Sequence, residues 1–446
     1  MIRYYPSHVH LKSKIRELCG QHLGIMESQL LMAAHSDRSP EIAMCTNRMP
    51  DYHKLLISEN AEINYHLSGY GIYMEEAIIR NLGEGIERYS LITANKLYES
   101  KVVYGSYNEM KNKGTVLPWE YIKIYSDEDY TKLQQRIPIH NLTKDDRIGW
   151  LKCPSLFDPE REIYIPTQFL FLGTAAGKGA KEKMFIPAFS KGAAAHTDIK
   201  KAMKSAIMES IEADALMVRW YTDEKPKRVK IDDPALGAII SEFVGKLDPE
   251  LICYEFSLPD MPAHSFGVSL INKKDSRPVA ILGCQTNMDP VKGIYRATFE
   301  ALAIHYLASN GPLLLPEYYL DTAIEKNFTN LDTNVAFWAN AENADFKRNF
   351  FRDLHEGQVP LSVLKDGSGQ DDEQDISILL NKLKNVSQYA VYLDITPPDL
   401  MNKGWRVIRT LIPELVQMSL PGYPYSNHPR IRNFGGVTND LPHPVP

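Results

Sequence analysis

The chain has 446 residues, of which 44% are hydrophobic and 24% are charged, and it carries a net charge of −6. This length suffices for two or three ordinary domains or for one large one, and the composition is typical of a globular protein. Because the sequence has no basic block and no apolar stretch long enough to span a bilayer, we expect neither nucleic acid nor a membrane as a partner.

The five cysteines are scattered along the sequence, and none stands in a Cys-x-x-Cys spacing. Their odd number and wide spacing indicate neither a disulfide framework nor a structural zinc site. The first residues also lack the basic region and apolar run of a secretion signal. These features predict a protein of the reducing cytoplasm.

The first segment, residues 1–64, is predicted to form a small helical element that contacts a partner. Apolar residues recur at helical spacing between residues 11 and 33. A turn is predicted at residues 68–71, and a long helix should follow it.

That helix, from Glu75 to about Asn95, carries the first of two acidic pairs. Its members, Glu84 and Glu87, are three residues apart. Residues at this spacing project from one face of an α-helix. Arg88 follows directly and is a further polar side chain of this helix.

A second acidic pair, Glu209 and Glu212, lies on another predicted helix. A predicted strand at residues 184–189 leads into this helix through a loop of small residues. Thr197 or Asp198 can cap the N-terminus of the helix. The second pair thus lies on a helix that follows a strand and a loop.

For one acidic pair alone, the simpler interpretation is a solvated helix face with an ordinary ion pair. Glu209, however, shares its side of the helix with small residues, Ala202 and Ala206 among them, which favour close packing. A carboxylate buried there needs a partner, because burying it unpaired is costly. Two acidic faces across a cleft would suit Mg²⁺, whose octahedron nucleotide phosphates often complete. The two pairs therefore predict a protein that uses ATP.

The strand, loop and helix pattern recurs more weakly further along the chain. A predicted strand at residues 279–282 leads to Asp289, a cap candidate, and to a helix over residues 291–307 that contains Glu300. Strands mixed with long helices indicate an α/β or α+β architecture. An exposed loop and two late strands are also predicted, at residues 366–375, 389–395 and 405–411.

The chain ends with prolines at alternate positions, Pro442, Pro444 and Pro446. Such a segment cannot continue a helix, and it should be extended, near polyproline II. A frayed terminus is the simpler interpretation. A stiff tail, however, loses little entropy on docking, so its carboxylate can be placed accurately in a pocket.

Taken together, these residues resemble the YcaO-domain family, and more narrowly the D component of azoline-forming peptide cyclodehydratases of the streptolysin S biosynthesis type. The resemblance extends from about residue 65 to the end of the chain. It is carried by the two acidic pairs with their preceding loops, the late segments 393–399 and 406–409, and the terminal prolines.

The resemblance implies a YcaO-like fold, with mixed sheets and packed helices around a central nucleotide cleft. The catalytic domain would span residues 65–446, with a proline-rich tail at residues 442–446. The implied activity is ATP-dependent cyclodehydration of Cys, Ser or Thr residues in a ribosomal precursor peptide. Phosphorylation of the backbone amide oxygen would allow its loss and give an azoline, in the biosynthesis of a bacteriocin-like or toxin-like peptide.

The resemblance also implies roles for individual residues, with ATP and Mg²⁺ as cofactors. The implied Mg²⁺ ligands are the four paired glutamates, Glu84, Glu87, Glu209 and Glu212. The implied contacts with ATP are Gly71, Arg88, Ser190, Thr197 and Lys201. The implied catalytic residues of the tail are Pro442, Pro444 and Pro446, with the terminal carboxylate as a proton acceptor.

Four positions depart from the pattern expected of the family. They are Tyr70, where a lysine is common, Thr197 for asparagine, Lys201 for an acidic residue and Ala213 for arginine. Two alternatives therefore stay open. One is a non-catalytic docking subunit of an azole synthetase complex, and the other is thioamide or amidine formation, which the proline tail disfavours.

The resemblance implies partners as well. An E1-like C-type protein would capture the leader of the precursor peptide, and a flavin-dependent dehydrogenase in the same complex would oxidise azolines to azoles. A homodimer is also left open.

Overall fold

The computed structural model describes residues 6–20, 24–27, 29–33, 40–59, 67–174, 181–274, 276–314, 316, 319 and 328–446. Thirteen α-helices lie within these residues. They are α1 (Pro6–Leu18), α2 (Tyr52–Leu56), α3 (Met74–Leu97), α4 (Tyr107–Met110), α5 (Asp127–Gln134), α6 (Ile199–Tyr221), α7 (Pro234–Val244), α8 (Pro290–Leu314), α9 (Leu331–Ala339), α10 (Ala344–Asp353), α11 (Asp372–Leu383), α12 (Pro398–Met401) and α13 (Pro429–Asn433).

Fourteen strands in the described residues form four sheets. They are β1 (Gln29–Ala33), β2 (Ala43–Asn47), β3 (Ser68–Gly71), β4 (Val103–Gly105), β5 (Ile148–Pro154), β6 (Glu162–Pro166), β7 (Ala193–His196), β8 (Lys227–Lys230), β9 (Glu250–Glu255), β10 (His264–Ile271), β11 (Ala280–Asn287), β12 (Gln358–Pro360), β13 (Val391–Asp394) and β14 (Arg406–Leu411).

Three of the sheets are three-stranded and antiparallel, with the orders β1-β2-β3, β4-β5-β6 and β13-β14-β7. The fourth has the order β11-β10-β9-β8-β12 and is antiparallel except where β12 joins β8 in parallel. Helices pack on these sheets, so the mixed architecture predicted from the sequence is confirmed. Within the described residues, every helix is too short or too polar to cross a lipid bilayer.

Three strand–helix units organise the part of the fold that matters for function. In each unit a strand precedes a long helix that packs against it, as β3 with α3, β7 with α6 and β11 with α8. The packing is closest at two glycines. A Cβ on Gly69 would lie 1.9 Å from the carbonyl oxygen of Ala77, and one on Gly283 would lie 2.4 Å from that of Ala297. Glycine is therefore required where α3 and α8 cross their strands.

The two long helices that carry the acidic pairs agree with the sequence prediction, α3 from Met74 to Leu97 and α6 from Ile199 to Tyr221. Asp198 rather than Thr197 caps α6, and its carboxylate accepts the Lys200 N–H at 2.8 Å. The strand and helix around Asp289 also form, as β11 and α8.

Several local predictions are wrong. The helical pattern over residues 11–33 ends at Leu18, and residues 29–33 form β1, because pairing with β2 overrides the local periodicity. Residues 68–71 form β3 rather than a turn, and this strand pairs with β2 of the first predicted segment.

Two further predictions fail for reasons visible in the sequence. Residues 184–189 form no strand, because Pro187 has no N–H for a ladder, and β7 forms at residues 193–196 instead. The exposed loop predicted over residues 366–375 is already helical from Asp372, where acidic residues suit the first turn of α11.

Candidate functional site

Three glutamates occupy the same place in the three strand–helix units. Glu84, Glu209 and Glu300 each lie ten residues after the first residue of their helix. Each carboxylate accepts a backbone N–H from the strand or loop before its helix. The donors are Ser68 to Glu84 at 2.7 Å, Gly192 to Glu209 at 3.3 Å and Cys284 to Glu300 at 2.7 Å.

The second acid of each pair is more deeply buried. Glu87 is 8% exposed and Glu212 is 4% exposed, each one turn further along its helix. Glu212 also accepts the backbone N–H of Thr286 in β11 at 2.8 Å, which joins the second unit to the third. The third unit has Ala303 at the corresponding position. Two units thus carry paired acids and the third carries one.

The charges of α3 and α6 act on one another. Burial raises the pKa of Glu87 well above its ordinary value, Arg88 opposes this shift, and the carboxylates of Glu209 and Glu84 add to it. Burial likewise raises the pKa of Glu209. A carboxylate raises the pKa of another only at short range. The helices α3 and α6 both pack against β7, so their acidic pairs lie around one site, which we call the acidic chamber.

The chamber extends to α8. Burial raises the pKa of Glu300 to about 7, the charge of Glu212 adds to the shift, and Lys191 opposes it. Tyr70, half-buried on β3, has a raised pKa, first from desolvation and then from the charge of Glu300. All three strand–helix units thus border the acidic chamber.

Two cations form ion pairs with the glutamates. The Arg88 guanidinium donates to Glu84 at 3.1 Å and also contacts Glu87. Lys191 Nζ lies 2.6 Å from Glu212 Oε1. Desolvation works to lower the pKa of Lys191, but the nearby carboxylates outweigh it and raise this pKa well above its usual range. Lys191 is therefore charged at neutral pH.

A third cation, Arg409 on β14, holds the loop that carries Lys191. Its guanidinium donates to the carbonyl oxygens of Ser190 at 3.0 Å, Phe169 at 2.8 Å and Lys191. Desolvation lowers the pKa of Arg409 to about 10, against the charges of Glu87 and Glu209. The same loop supplies the Gly192 N–H to Glu209. Arg409 therefore helps to fix the positions of both Lys191 and Glu209.

A pair of arginines lies at another side of the chamber. The Arg80 guanidinium lies 4.9 Å from the centre of the Tyr70 ring and bonds Glu76 at 2.7 Å. The side chain of Arg296 on α8 is exposed, and desolvation by the surrounding protein and the charge of Arg80 lower its pKa. In the part of the chain that the structure describes, Arg296 makes no hydrogen bond or ion pair. Its charge is therefore available to an anion.

The donor set suits Mg²⁺, because carboxylate oxygens are the protein ligands that this ion prefers. Among the described residues, however, no group of three or more His, Cys, Asp or Glu side chains is arranged to enclose a metal ion. Arg88 and Lys191 occupy carboxylate oxygens in this arrangement. Metal binding at these glutamates therefore requires the two cations to move aside.

The implied nucleotide contacts lie at different distances from the chamber. Ser190 lies in the loop held by Arg409. Thr197 and Lys201 are exposed at the N-terminal end of α6, and Lys201 is about 12 Å along the helix axis from Glu209. Gly71 ends β3, where an added Cβ would meet the Glu76 carboxylate at 2.3 Å. Of these four, Ser190 is joined most directly to the acidic side chains.

A narrow cavity of about 10 Å³, room for a single water molecule, adjoins Lys191. Ser210, Ala213, Thr410 and side chains of the 411–418 segment complete its lining. Ala213, where the family resemblance leads one to expect an arginine, is buried in the wall of this cavity.

The C-terminal tail is docked rather than frayed. Pro442 and Pro444 are buried, whereas Pro446 is exposed. The indole N–H of Trp220 donates to the Leu441 carbonyl at 2.9 Å, and that of Trp338 donates to the Pro442 carbonyl at 2.8 Å. The tail therefore lies against the C-terminal end of α6, on the helix that bears Glu209 and Glu212.

Sequence reasoning missed four residues of the chamber. Glu300 could have been found, because it repeats the position of Glu209 in the strand, loop and helix pattern. Lys191 had a weaker signal, its place directly before the Gly192 loop. No local pattern singles out Arg296 or Arg409, whose surroundings come from distant parts of the chain.

Comparison with known proteins identifies the family. The family model "YcaO cyclodehydratase", described as binding ATP and Mg²⁺, matches residues 68–416. The chain belongs to the YcaO family. The family model also confirms the predicted cofactors, ATP and Mg²⁺. No curated protein sequence matches the chain.

Solved structures share the YcaO fold of this chain. A heterocyclase in complex with substrate and cofactor has a TM-score of 0.73 and 16% identity, over 98% of this chain and 57% of that one. YcaO from Methanopyrus kandleri, bound with AMPPCP and Mg²⁺, has a TM-score of 0.61 and 13% identity over 100% of this chain and 97% of that one. A chain of the E. coli microcin synthetase McbBCD complex with pro-MccB17 bound has a TM-score of 0.60 and 15% identity, over 94% of this chain and 96% of that one.

These similarities confirm the YcaO-like fold predicted from the sequence. The chain spans little more than half the length of the heterocyclase that it matches. Identities of 13–16% establish the fold alone.

Proposed function

We propose that this YcaO protein catalyses the ATP-dependent cyclodehydration of Cys, Ser or Thr residues in a ribosomal precursor peptide. The observation that carries the proposal is the acidic chamber, where carboxylates from α3, α6 and α8 act on one another's pKa. Unpaired burial of so many carboxylates is unfavourable, and Mg²⁺ with a nucleotide would supply the missing positive charge.

In this proposal Glu84, Glu87, Glu209 and Glu212 hold Mg²⁺. Bound there, MgATP supplies the phosphoryl group that converts the amide oxygen of the cyclised peptide into a leaving group. With MgATP bound, Arg88 and Lys191 would release the carboxylates and pair with the phosphates. Each buried charge would then keep a partner of opposite sign in both states.

Arg296 is proposed as a further phosphate contact. Its guanidinium has no hydrogen bond or ion pair within the described chain, and the neighbouring Arg80 adds positive charge. Guanidinium groups bind phosphate through two parallel N–H donors. Arg296 on α8 would thus contact the phosphates of the nucleotide, while Ser190 and Gly71 remain proposed backbone contacts.

The tail is proposed to organise the site from the end of α6. Pro442 and Pro444 are buried, and the tail bonds Trp220, two helical turns beyond Glu212. We propose that the terminal carboxylate of Pro446 acts as a proton acceptor in the reaction. Because an extended, proline-rich segment is stiff, the end of the tail keeps a defined distance from Trp220, which holds it.

We also propose that the chain works within a complex. The similar E. coli microcin synthetase is a complex with pro-MccB17 bound. By analogy, an E1-like C-type protein would capture the precursor leader here, and a flavin-dependent dehydrogenase would oxidise the azolines. The precursor, rather than nucleic acid or a membrane, is the proposed macromolecular substrate.

A second candidate is a docking subunit without catalytic activity. The observation in its favour is that Arg88 and Lys191 already neutralise carboxylates that a metal would need. In such a protein the two ion pairs would be permanent and would serve the fold rather than the reaction.

Mass spectrometry separates these candidates. With ATP, the partner and a precursor peptide, a cyclodehydratase removes about 18 Da per modified residue and releases phosphate. Thioamide formation would instead add about 16 Da, and a docking subunit would change nothing. Glu209→Gln should abolish the mass loss, while Glu373→Gln, on the exposed face of α11, should retain it. Full activity of the Glu209 variant would contradict the proposed site.

A further inference from the structure

The C-terminal tail is held by a groove of three side chains, Trp220 on α6 and Asn334 and Trp338 on α9. We call this set the tail groove. Asn334 and Trp338 are four residues apart and therefore share one face of α9. The rings of Trp220 and Trp338 meet edge to face, 5.7 Å between centres, and close the base of the groove.

The tail groove supplies hydrogen-bond donors to the carbonyl oxygens of the tail. The two indoles donate to Leu441 and Pro442 at 2.9 and 2.8 Å. The Asn334 amide donates to the carbonyls of His443 at 2.6 Å and Val445 at 2.8 Å. A proline-rich segment has few N–H groups to donate, so side-chain donors take the place of a neighbouring strand.

The arrangement of Asn334 indicates that it serves the tail rather than its own helix. Its side chain is 0% exposed, the amide nitrogen donates to the tail, and the amide oxygen has no partner among the residues that the structure describes. Flipping the amide would place that oxygen against two carbonyl oxygens, so the orientation is determined. A buried polar atom without a partner is costly, and the two bonds to the tail offset this cost.

His443 adds a contact from the tail to the wall of the pocket beside Lys191. Its side chain is fully buried, and Nε2 lies 3.0 Å from the Ser419 carbonyl oxygen. The His443 N–H also donates to the Pro421 carbonyl at 3.2 Å. Ser419 directly follows Met418, which lines that pocket. A fixed tail therefore also supports a wall of the candidate site.

We propose that the tail groove binds the last six residues of the chain as a separable ligand, with Asn334 as the residue that positions them. The hydrogen bonds described above support the docking of the tail. A role of the docked tail in catalysis rests on the proposed function, in which the tail organises the active site.

The test uses a chain that ends at Asp440 and a synthetic peptide, Leu-Pro-His-Pro-Val-Pro, labelled at its N-terminus with fluorescein. Fluorescence anisotropy should show saturable binding to the shortened chain. The full chain should bind no peptide, since its own tail occupies the groove at high effective concentration. Equal binding by both chains, or a folded shortened chain that binds no peptide, would overturn the inference.

Asn334→Leu tests the positioning residue, since leucine has a similar size but no donor. In the shortened chain this substitution should weaken peptide binding about tenfold or more, the effect of losing two hydrogen bonds. Asn381→Leu, at an exposed site on α11, is the matched control and should leave binding unchanged. Unchanged affinity of the Asn334 variant would refute its role.

A second measurement covers the case in which the shortened chain fails to fold. In the full chain with Cys19→Ser, a spin label on Pro446→Cys should be restricted in motion, and Asn334→Leu should make it mobile. An equally mobile label in both proteins would overturn the inference. The two proposals can also fail separately. If the shortened chain binds the peptide but the full chain cyclises no precursor, the proposed function is refuted and the tail groove remains supported.

Discussion

Lys191 Nζ lies 2.6 Å from Glu212 Oε1, so the loop before β7 and the middle of α6 are joined by a charge pair. The carboxylates of Glu212, Glu209 and Glu300 together raise the pKa of this lysine against the effect of burial. Lys191 thus interacts with the acidic residues of both α6 and α8. If the chamber binds MgATP, the Lys191 ammonium must leave the Glu212 carboxylate and pair with a phosphate instead.

Lys191→Met tests that exchange. The substitution keeps the length of the side chain and removes its charge, so we expect the rate of azoline formation to fall about 100-fold, a typical effect of losing one charged contact to a reacting group. Lys200→Met, at an exposed site on the same helix as Glu212, should leave the rate unchanged. The rates are measured by mass spectrometry of the precursor, and an active Lys191 variant would exclude a phosphate contact.

Arg296→Gln should raise the KM for ATP about tenfold without lowering the thermal midpoint of unfolding. The reason is that Arg296 makes no hydrogen bond or ion pair within the described chain, so its removal costs the fold little. Lys292→Gln, four residues earlier on α8 and exposed, is the control. An unchanged KM would show that Arg296 does not contact the nucleotide.

The sequence was sufficient to predict the long helices that carry the acidic pairs, because their apolar periodicity extends over many turns. The glutamates on those helices followed from spacing alone. Short elements were less predictable. The strand at residues 68–71 looks like a turn, since Gly69 is there to let α3 approach rather than to reverse the chain.

The cations around the glutamates could not be predicted, because they depend on contacts between distant segments. Arg409 is more than 200 residues from the loop whose carbonyls it bonds. Arg296 becomes notable only when α8 brings it beside Arg80 of α3. The docking of the tail was predicted as a possibility, but the tail groove depends on indole and amide donors from α6 and α9.

Two glycine substitutions test the strand–helix packing that places the glutamates. Gly283→Ala would place a Cβ 2.4 Å from the Ala297 carbonyl oxygen, so we expect a loss of about 1–3 kcal/mol in the free energy of unfolding. Gly237→Ala, in α7, meets no atom within 4 Å and should gain about 0.5–1 kcal/mol. Urea denaturation measures both. A neutral Gly283 variant would contradict the close approach of α8 to β11.

His443→Gln tests the buried, uncharged state of the tail. Burial lowers the pKa of His443 from 6.5 to about 4. Between these pH values the unfolded chain binds a proton that the folded chain does not, so this residue makes stability fall as the pH falls. Wild type should therefore lose about 2 kcal/mol relative to the variant between pH 7.5 and pH 5. A difference in unfolding free energy that stays constant with pH would show that His443 is not buried uncharged.

Oxygen labelling tests the central claim most directly, which is that the chamber activates a peptide amide oxygen with ATP. A precursor carrying ¹⁸O at the carbonyl before the reacting Cys, Ser or Thr is incubated with the chain, its partner, Mg²⁺ and ATP. If the amide oxygen is phosphorylated, the released phosphate carries ¹⁸O in proportion to the azolines formed, and it should be about 2 Da heavier. Azoline formation with unlabelled phosphate would contradict the account.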